Sequence, residues 1–214
     1  MNLQTTSMPR IGDMAPDFEA NTTWGKLKFS DYGKGSWVIF FSHPADFTPV
    51  CTTELSRFAL EEERFNKLNA KVIGLSIDSI HSHVAWVSNI KKNMGISIKY
   101  PMIADVDFKV ANLYGMLQPN ESETATVRAV FIIDPTGKIR LIVYYPMNVG
   151  RNVDEIYRTL LALQTSDEHK VSCPVNWQPG EKVIVPPPKT LAELEIRENS
   201  GLEQVDFYLA KRSL

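Results

Sequence analysis

The chain has 214 residues, of which 43% are hydrophobic and 22% charged, and its 23 basic and 25 acidic side chains give a formal net charge of −2. This apolar fraction is enough to fill a core, and the near-neutral charge argues against nucleic acid or an anionic membrane as the main partner. No apolar run approaches the roughly 18 residues that a membrane span needs, and the first residues lack the apolar stretch of a secretory signal. We therefore expect a soluble protein of the cytoplasm.

The predicted elements alternate between strands and helices through most of the chain. Apolar and β-branched runs predict strands, and apolar residues at helical spacing predict helices. In chain order these are strand 37–41, helix 54–68, strand 71–78, helix 83–94, strands 126–134 and 138–145, and helix 153–163. A Pro-Thr-Gly turn makes the last two strands a hairpin. This order predicts an α/β fold with a mixed sheet flanked by helices, and a thioredoxin-like layout fits it.

The composition changes near Lys170. Five of the 13 prolines fall between Pro174 and Pro188, a density that argues against a helix interior or a core sheet. We interpret residues 166–214 as a C-terminal extended arm, with one short helix over 190–199, after a thioredoxin-like domain of residues 1–165. An arm of this length with apolar residues is expected to pack in a dimer interface.

The two cysteines, Cys51 and Cys173, are too few for a disulfide scaffold. Thr48 is a predicted helix N-cap, and Pro49 suits the first helical position. Cys51 therefore falls in the first turn, where unpaired amides and the helix dipole favour an anion. This position favours the reactive thiolate. On spacing alone, an inert buried cysteine is an equal alternative.

The segment HPADFTPVCTTE, residues 43–54, resembles the active-site signature of the peroxiredoxins. The core pattern Pro-x-x-x-Thr-x-x-Cys is met by Pro44, Thr48 and Cys51. Segments 74–86, 128–134 and 144–156 and the proline-rich arm extend the resemblance along most of the chain. The segment SHPADFTPVCTTE, residues 42–54, is similar to that of the 1-Cys subgroup and its archaeal relatives.

This resemblance implies a thiol-dependent peroxidase that reduces hydrogen peroxide and organic hydroperoxides. Cys51 would attack the peroxide and become a sulfenic acid. Thr48 would hydrogen-bond the peroxide, and Pro44 would shield the site from water. Arg128 would stabilise the thiolate and the charge that develops on the peroxide. A structural ion pair is the alternative role for Arg128, which stands in an otherwise apolar strand.

Three further residues join the substrate site by resemblance. Arg151 is similar to a second arginine of the family near the pocket, and Glu54 would orient the arginines. His43 would contact the sulfur, and a packed neutral histidine is the alternative. No cofactor and no metal is expected, because the pair His81 and His83 has no further cysteine or histidine at ligand spacing.

Cys173 lies beside Pro174 and Trp177 in a segment that resembles the arm of the 2-Cys peroxiredoxins. There, this cysteine resolves the sulfenic acid as a disulfide with the partner chain, whereas the 1-Cys subgroup usually lacks it. Two cycles are therefore open. Either Cys173 of the partner chain resolves Cys51 and a thioredoxin-like or glutaredoxin-like protein reduces the disulfide, or an external thiol reduces Cys51 directly.

The family also implies a homodimer and often a ring of dimers, such as a decamer. Two other functions compete with the peroxidase on the sequence alone. One is a chaperone-like ring that holds unfolding clients. The other is a thiol–disulfide oxidoreductase, which would need Cys51 and Cys173 to meet within one chain.

Overall fold

The structure is a computed structural model that describes residues 8–214. It divides into two compact units, one ending at Val153 and one comprising Asp154–Leu214. Among the helices of the described residues, none is long and apolar enough to cross a membrane.

The first unit is built on a mixed β-sheet. Its strands are β1 Glu19–Thr22, β2 Gly25–Lys28, β3 Trp37–Ser42, β4 Ala70–Ser76, β5 Met102–Ala104, β6 Arg128–Ile133 and β7 Ile139–Tyr145. Over residues 8–153, these seven strands lie in the order β2-β1-β5-β4-β3-β6-β7. The central pairs β3-β4 and β4-β5 are parallel, and β3-β6 and the hairpin β6-β7 are antiparallel. The predicted mixed sheet and its hairpin are confirmed.

Helices cover both faces of this sheet. They are α1 Phe29–Gly33, α2 Pro49–Lys67, α3 Ile80–Met94 and α4 Lys109–Leu113. Successive side chains of a strand point to opposite faces, so neighbouring residues of β3 meet different helices. The ring of Phe40 lies 5.6 Å from that of Phe29 in α1 and 4.9 Å from that of Tyr114, which follows α4. The ring of Phe41 stacks on Phe58 of α2 at 4.4 Å.

The second unit has its own small sheet. It contains most of α5 Val153–His169, then β8 Val183–Val185, α6 Leu191–Glu198, β9 Glu203–Asp206 and β10 Leu209–Arg212. In residues 154–214, the three strands pair antiparallel in the order β8-β10-β9. The predicted helix over 190–199 is confirmed as α6, and Thr190 caps it by accepting a hydrogen bond from the Glu193 N–H.

The arm is thus more ordered than the sequence pattern indicates. The run of prolines from Pro186 to Pro188 directly follows β8 and ends it, because proline has no N–H to donate to a ladder. The sequence pattern did not predict that the extended residues 183–185 pair as a strand, or that β9 and β10 form a C-terminal hairpin.

Candidate active site

Cys51 lies where the sequence predicts it, at the third residue of α2. Thr48 takes the extended N-cap conformation and Pro49 opens the helix. Just before the cap, Phe47 adopts a positive φ of 55°, which turns the chain from β3 into the helix. The Cys51 side chain is fully buried.

Thr48 caps the helix through its backbone and not through its hydroxyl. Its hydroxyl donates to the Ala45 carbonyl at 2.8 Å, and its carbonyl accepts from the N–H and the hydroxyl of Thr52 at 3.0 and 2.7 Å. The first-turn amides near Cys51 are therefore not used up by the Thr48 side chain. The half-buried hydroxyl can be released by giving up one neutral hydrogen bond.

One nitrogen of the Arg128 guanidinium forms a hydrogen bond with the sulfur of Cys51. Its Nη1 donates to Cys51 Sγ at 3.3 Å and to Glu54 Oε2 at 2.7 Å. Its Nε and Nη2 both donate to the Met147 carbonyl, at 2.9 and 2.6 Å. Arg128 is the first residue of β6 and lies opposite Tyr145 of β7. Because the planar group is held at two sides, its position beside the sulfur is fixed before any substrate arrives.

Glu54 joins the two arginines. One of its oxygens accepts from the backbone N–H and the Nε of Arg151, both at 2.8 Å, and the other accepts from Arg151 Nη2 at 2.6 Å. Arg151 Nη1 donates to the carbonyls of Ser42 and Ala129, and its guanidinium lies 5.0 Å from the centre of the Phe41 ring. Sequence analysis expected Glu54 to orient the arginines, and the hydrogen bonds are those that such a role requires.

This arrangement keeps Glu54 ionised. Burial alone would raise the pKa of its carboxyl, but the charge and hydrogen bonds of Arg151, together with the charge of Arg128, outweigh it and lower the pKa below the ordinary 4.5. One carboxylate thus faces two guanidinium groups in a site that is almost closed to solvent. The cluster therefore keeps one excess positive charge beside Cys51.

Glu54→Gln is expected to lower the free energy of unfolding by about 3–5 kcal/mol at neutral pH, because two buried cations lose their counter-ion. Chemical denaturation measures it. Since the pKa of Glu54 is lowered in the folded state, its stabilising effect is present above the ordinary pKa and is lost as the pH falls through the folded value. The gap between the two proteins should therefore close in acid.

Glu63→Gln is the matched control for this change. Glu63 lies on the same helix and pairs with Lys67, but both side chains are largely exposed. Its loss should change the stability little. Equal losses at the two positions, or a gap at Glu54 that does not shrink in acid, would contradict the account.

Pro44 and His43 follow β3 directly, and both are buried. The backbone carbonyl of His43 accepts from the Thr126 hydroxyl at 2.8 Å. On its side chain, Nε2 lies 2.9 Å from Asp46 Oδ1, and Nδ1 has no hydrogen-bond partner. The structure gives no hydrogen bond between His43 and the sulfur, so that contact stays a prediction.

Two members of the site were not found from the sequence. Met147 acts through its backbone carbonyl, which no side-chain pattern reveals. Asp46 stands inside the signature segment but was not singled out. It joins His43 to His83, and the possible ligand atoms of the three buried residues lie within 4.8 Å of one another. In the sequence, His83 stands close to His81 and suggests a pair with it, but the side chain of His81 is exposed on the first turn of α3.

Cys173 belongs to the second unit and has different surroundings. Its half-buried thiol donates to the Ala162 carbonyl at 3.5 Å and lies 3.7 Å from the Ser166 hydroxyl. It packs beside the buried cluster that contains Trp177 and Val183. Within residues 154–214, no charged group forms a hydrogen bond with this sulfur, in contrast to the arginine beside Cys51. The Arg158 guanidinium interacts with Cys173 electrostatically, without a hydrogen bond to the sulfur.

Comparisons with known proteins identify the family of this chain. Residues 11–142 match the AhpC/TSA family, and residues 162–197 match the C-terminal domain of 1-Cys peroxiredoxin. The chain is 51% identical to Peroxiredoxin 2 of Caldanaerobacter subterraneus subsp. tengcongensis, over 100% of this chain and 97% of that protein.

Two solved structures are similar over nearly the whole chain. A yeast mitochondrial 1-Cys peroxiredoxin, whose thiol is resolved via glutathione/thioredoxin systems, has a TM-score of 0.88 and 43% identity, covering 97% of this chain and 100% of that one. Peroxiredoxin 6 of Arenicola marina has a TM-score of 0.87 and 39% identity, covering 96% and 98%.

Proposed function

Because the chain belongs to the peroxiredoxin family of thiol-dependent peroxidases and has its thioredoxin-like fold, we propose that Cys51 is the residue that attacks the peroxide. The observation that carries this assignment is the hydrogen bond from Arg128 Nη1 to Cys51 Sγ at 3.3 Å, at the first turn of a helix. A guanidinium and unpaired helix amides both stabilise a thiolate over a thiol. Within residues 154–214, Cys173 has a carbonyl and a hydroxyl as its hydrogen-bond neighbours, and no guanidinium donates a hydrogen bond to its sulfur.

The reaction transfers one oxygen atom to the sulfur. The Cys51 thiolate attacks the nearer peroxide oxygen, an S–O bond forms and the O–O bond breaks. The sulfur is oxidised by two electrons to a sulfenic acid, and the leaving oxygen takes the bonding pair and a proton to become water or an alcohol. Negative charge moves from the sulfur onto the leaving oxygen. Donors on Arg128 that already point at this region stabilise that charge without reorganising.

Thr48 and Pro44 complete the proposed substrate site. The Thr48 hydroxyl would donate to the peroxide, and the ring of Pro44 would keep water away from the thiolate. His43 would contact the reacting sulfur, and Arg151 would act through Glu54. Since Cys51 is fully buried, small substrates such as hydrogen peroxide and small organic hydroperoxides suit the site better than bulky ones.

The test of this function is stopped-flow fluorescence of the reduced protein mixed with hydrogen peroxide. Trp86 is a suitable reporter, because its ring is buried and lies 5.3 Å from that of His43 and 6.1 Å from that of Phe47. Oxidation should give a phase whose rate rises linearly with peroxide concentration. The same rate of peroxide consumption in Cys51→Ser would refute the assignment.

For the second half of the cycle, we propose that Cys173 of the partner chain resolves the sulfenic acid. Its thiol attacks the oxidised sulfur, an S–S bond forms and the sulfenic oxygen leaves as water. Cys173 is half-buried, so it is more accessible than Cys51. A thioredoxin-like or glutaredoxin-like protein then reduces the disulfide. The alternative is direct reduction of Cys51 by an external thiol, which the match to the 1-Cys C-terminal domain favours.

Cys173→Ser is expected to abolish a crosslinked dimer that the parent forms after one equivalent of peroxide. A non-reducing gel shows the band, and mass spectrometry of its peptides identifies the linkage. A parent protein that stays monomeric on this gel would contradict resolution between chains and would support the 1-Cys cycle. A disulfide between Cys51 and Cys173 of the same chain would support the oxidoreductase alternative instead.

Resolution between chains requires a homodimer, which can assemble further into a ring of dimers. Large apolar side chains of the second unit support an interface there. Val175, Leu191 and Val205 are 88%, 86% and 78% exposed in the isolated chain. Exposed apolar residues of this size are typical of surfaces that a partner covers. We propose the cytoplasm as the compartment, because a thiol cycle needs a reducing environment.

A further inference from the structure

A buried hydrogen-bonded group lies beside the signature loop. His43 Nε2 is 2.9 Å from Asp46 Oδ1, and Asp46 Oδ2 is 2.7 Å from Nδ1 of His83 on α3. His83 Nε2 is 3.0 Å from the backbone carbonyl of Ile103. Both histidines are fully buried and Asp46 is 8% exposed. The reaction described above uses His43, but it gives no role to Asp46 or His83.

The acceptors around His83 determine where its protons are. Burial alone would raise the pKa of Asp46, but the hydrogen bonds from His43 and His83 outweigh it and lower the pKa, so Asp46 is a carboxylate. A carboxylate and a backbone carbonyl can only accept hydrogen bonds. Because one faces each ring nitrogen of His83, both nitrogens carry a proton. His83 is therefore a buried imidazolium that pairs with Asp46.

The proton of His43 follows from the same reasoning. The Asp46 carboxylate also accepts from His43 Nε2, so that nitrogen carries a proton. Burial lowers the pKa of His43, which keeps the ring neutral. Its Nδ1 is then an unprotonated nitrogen with a free lone pair. Among the buried side-chain nitrogen and oxygen atoms of residues 8–214, it is the one without a hydrogen-bond partner.

A metal ion explains these contacts less well. The three residue types are metal ligands, but an ion that replaced the two hydrogen bonds to Asp46 would need lone pairs on His43 Nε2 and His83 Nδ1, which here donate to the carboxylate. The separations of 2.7 and 2.9 Å are those of direct hydrogen bonds. Ligands that share one ion at about 2.0–2.1 Å stand farther apart. The contacts among these three residues are thus those of a hydrogen-bonded chain, which leaves His43 Nδ1 without a partner.

We propose that His83 is a positioning residue for the peroxide reaction. Its positive charge fixes the Asp46 carboxylate, and Asp46 in turn holds His43 as the neutral tautomer with a free lone pair at Nδ1. This inference rests on the proposed function, in which His43, next to Pro44, belongs to the substrate site. Without the charge on His83, the negative charges of Asp46 and of Asp78, which accepts from the Asp46 N–H, would draw a second proton onto His43.

The direct test is ¹⁵N NMR of the histidine side chains in the reduced, full-length protein near neutral pH. We expect two protonated nitrogens on His83, and on His43 a proton at Nε2 only. A His83 ring with a single proton would overturn the proposal, and so would stoichiometric zinc or another divalent metal in the purified protein. This measurement needs no substituted protein and no peroxidase activity, so it stands even if Cys51 is not the nucleophile.

His83→Asn tests the consequence, since asparagine keeps an N–H donor but has no charge. We expect the pKa of His43 to rise by about one unit. The pH below which the rate of Cys51 oxidation falls should rise with it, so that at pH values below the new pKa the variant is roughly tenfold slower than the parent. His81→Asn, the same change two residues earlier on the exposed face of α3, should leave both unchanged. An unchanged pKa of His43 in folded His83→Asn would overturn the role of the charge.

Discussion

Cys51→Ser is expected to lower the rate of peroxide consumption by at least about 10³-fold, to the level of a protein without a reactive thiol. A serine hydroxyl is protonated at neutral pH and has no thiolate to offer, although the two side chains are nearly equal in size. The Arg128–Glu54–Arg151 cluster does not depend on the sulfur and should hold the fold together. The measurement is stopped-flow competition for hydrogen peroxide, with circular dichroism as the check on folding.

The matched control is Cys173→Ser, which makes the same change at the other cysteine. The first oxidation step should keep the parent rate in this variant, because Cys173 acts only after the sulfenic acid has formed. If Cys173→Ser slows the first step as much as Cys51→Ser, the assignment of the two cysteines is wrong.

Arg128→Met is expected to slow Cys51 oxidation by about 10²–10³-fold, which is the usual cost of one preorganised donor that faces developing charge. Methionine has a similar length and no charge, so it removes the donor at 3.3 Å from the sulfur and leaves most of the packing. Glu54 retains its paired contact with Arg151, so the stability should fall less than the rate. The dependence of the fluorescence phase on peroxide concentration gives the rate constant.

Two further variants show whether the effect on the rate comes from the charge of Arg128 or from its geometry, and whether it is specific to this position. Arg128→Lys keeps the charge but cannot contact the sulfur, Glu54 and the Met147 carbonyl together, so it should recover only part of the rate. Arg140→Met is the control, because it makes the same arginine-to-methionine change in the neighbouring strand β7, near the opposite end of the hairpin. It should oxidise like the parent. Equal effects at Arg128 and Arg140 would show that the loss is general and not chemical.

The parts of the fold with a strong periodic signal could be predicted from the sequence. The buried run of β3, the hairpin β6-β7 and the apolar spacing of α2 are each visible in the residue order. Gly95, at a φ of 72°, ends α3 as predicted, because glycine adopts the left-handed conformation without strain. Helix α5 begins at Val153 as expected, but it continues to His169, beyond the predicted end, through a more polar sequence.

The elements that were not predicted are short, or they form only because a neighbouring strand pairs with them. Strand β5 has three residues, and it is a strand because β4 pairs with it. Strand β9 is exposed along its whole length, so it has no alternation of apolar and polar residues to recognise. At the site, the signature predicts roles for Pro44, Thr48 and Cys51, and the structure places Cys51 beside Arg128. His43 and Asp46 are neighbours in the signature segment, but Asp46 and His83 are 37 positions apart, and only the folded chain brings them together.

In the proposed function, the sulfur of the buried Cys51 thiol is the atom that peroxide oxidises. The most direct test treats the Cys173→Ser protein with one equivalent of hydrogen peroxide in the presence of a sulfenic-acid trapping reagent, and then maps the adduct by mass spectrometry. We expect one adduct per chain, on the peptide that contains Cys51. An unmodified Cys51 peptide while the peroxide is consumed would contradict it.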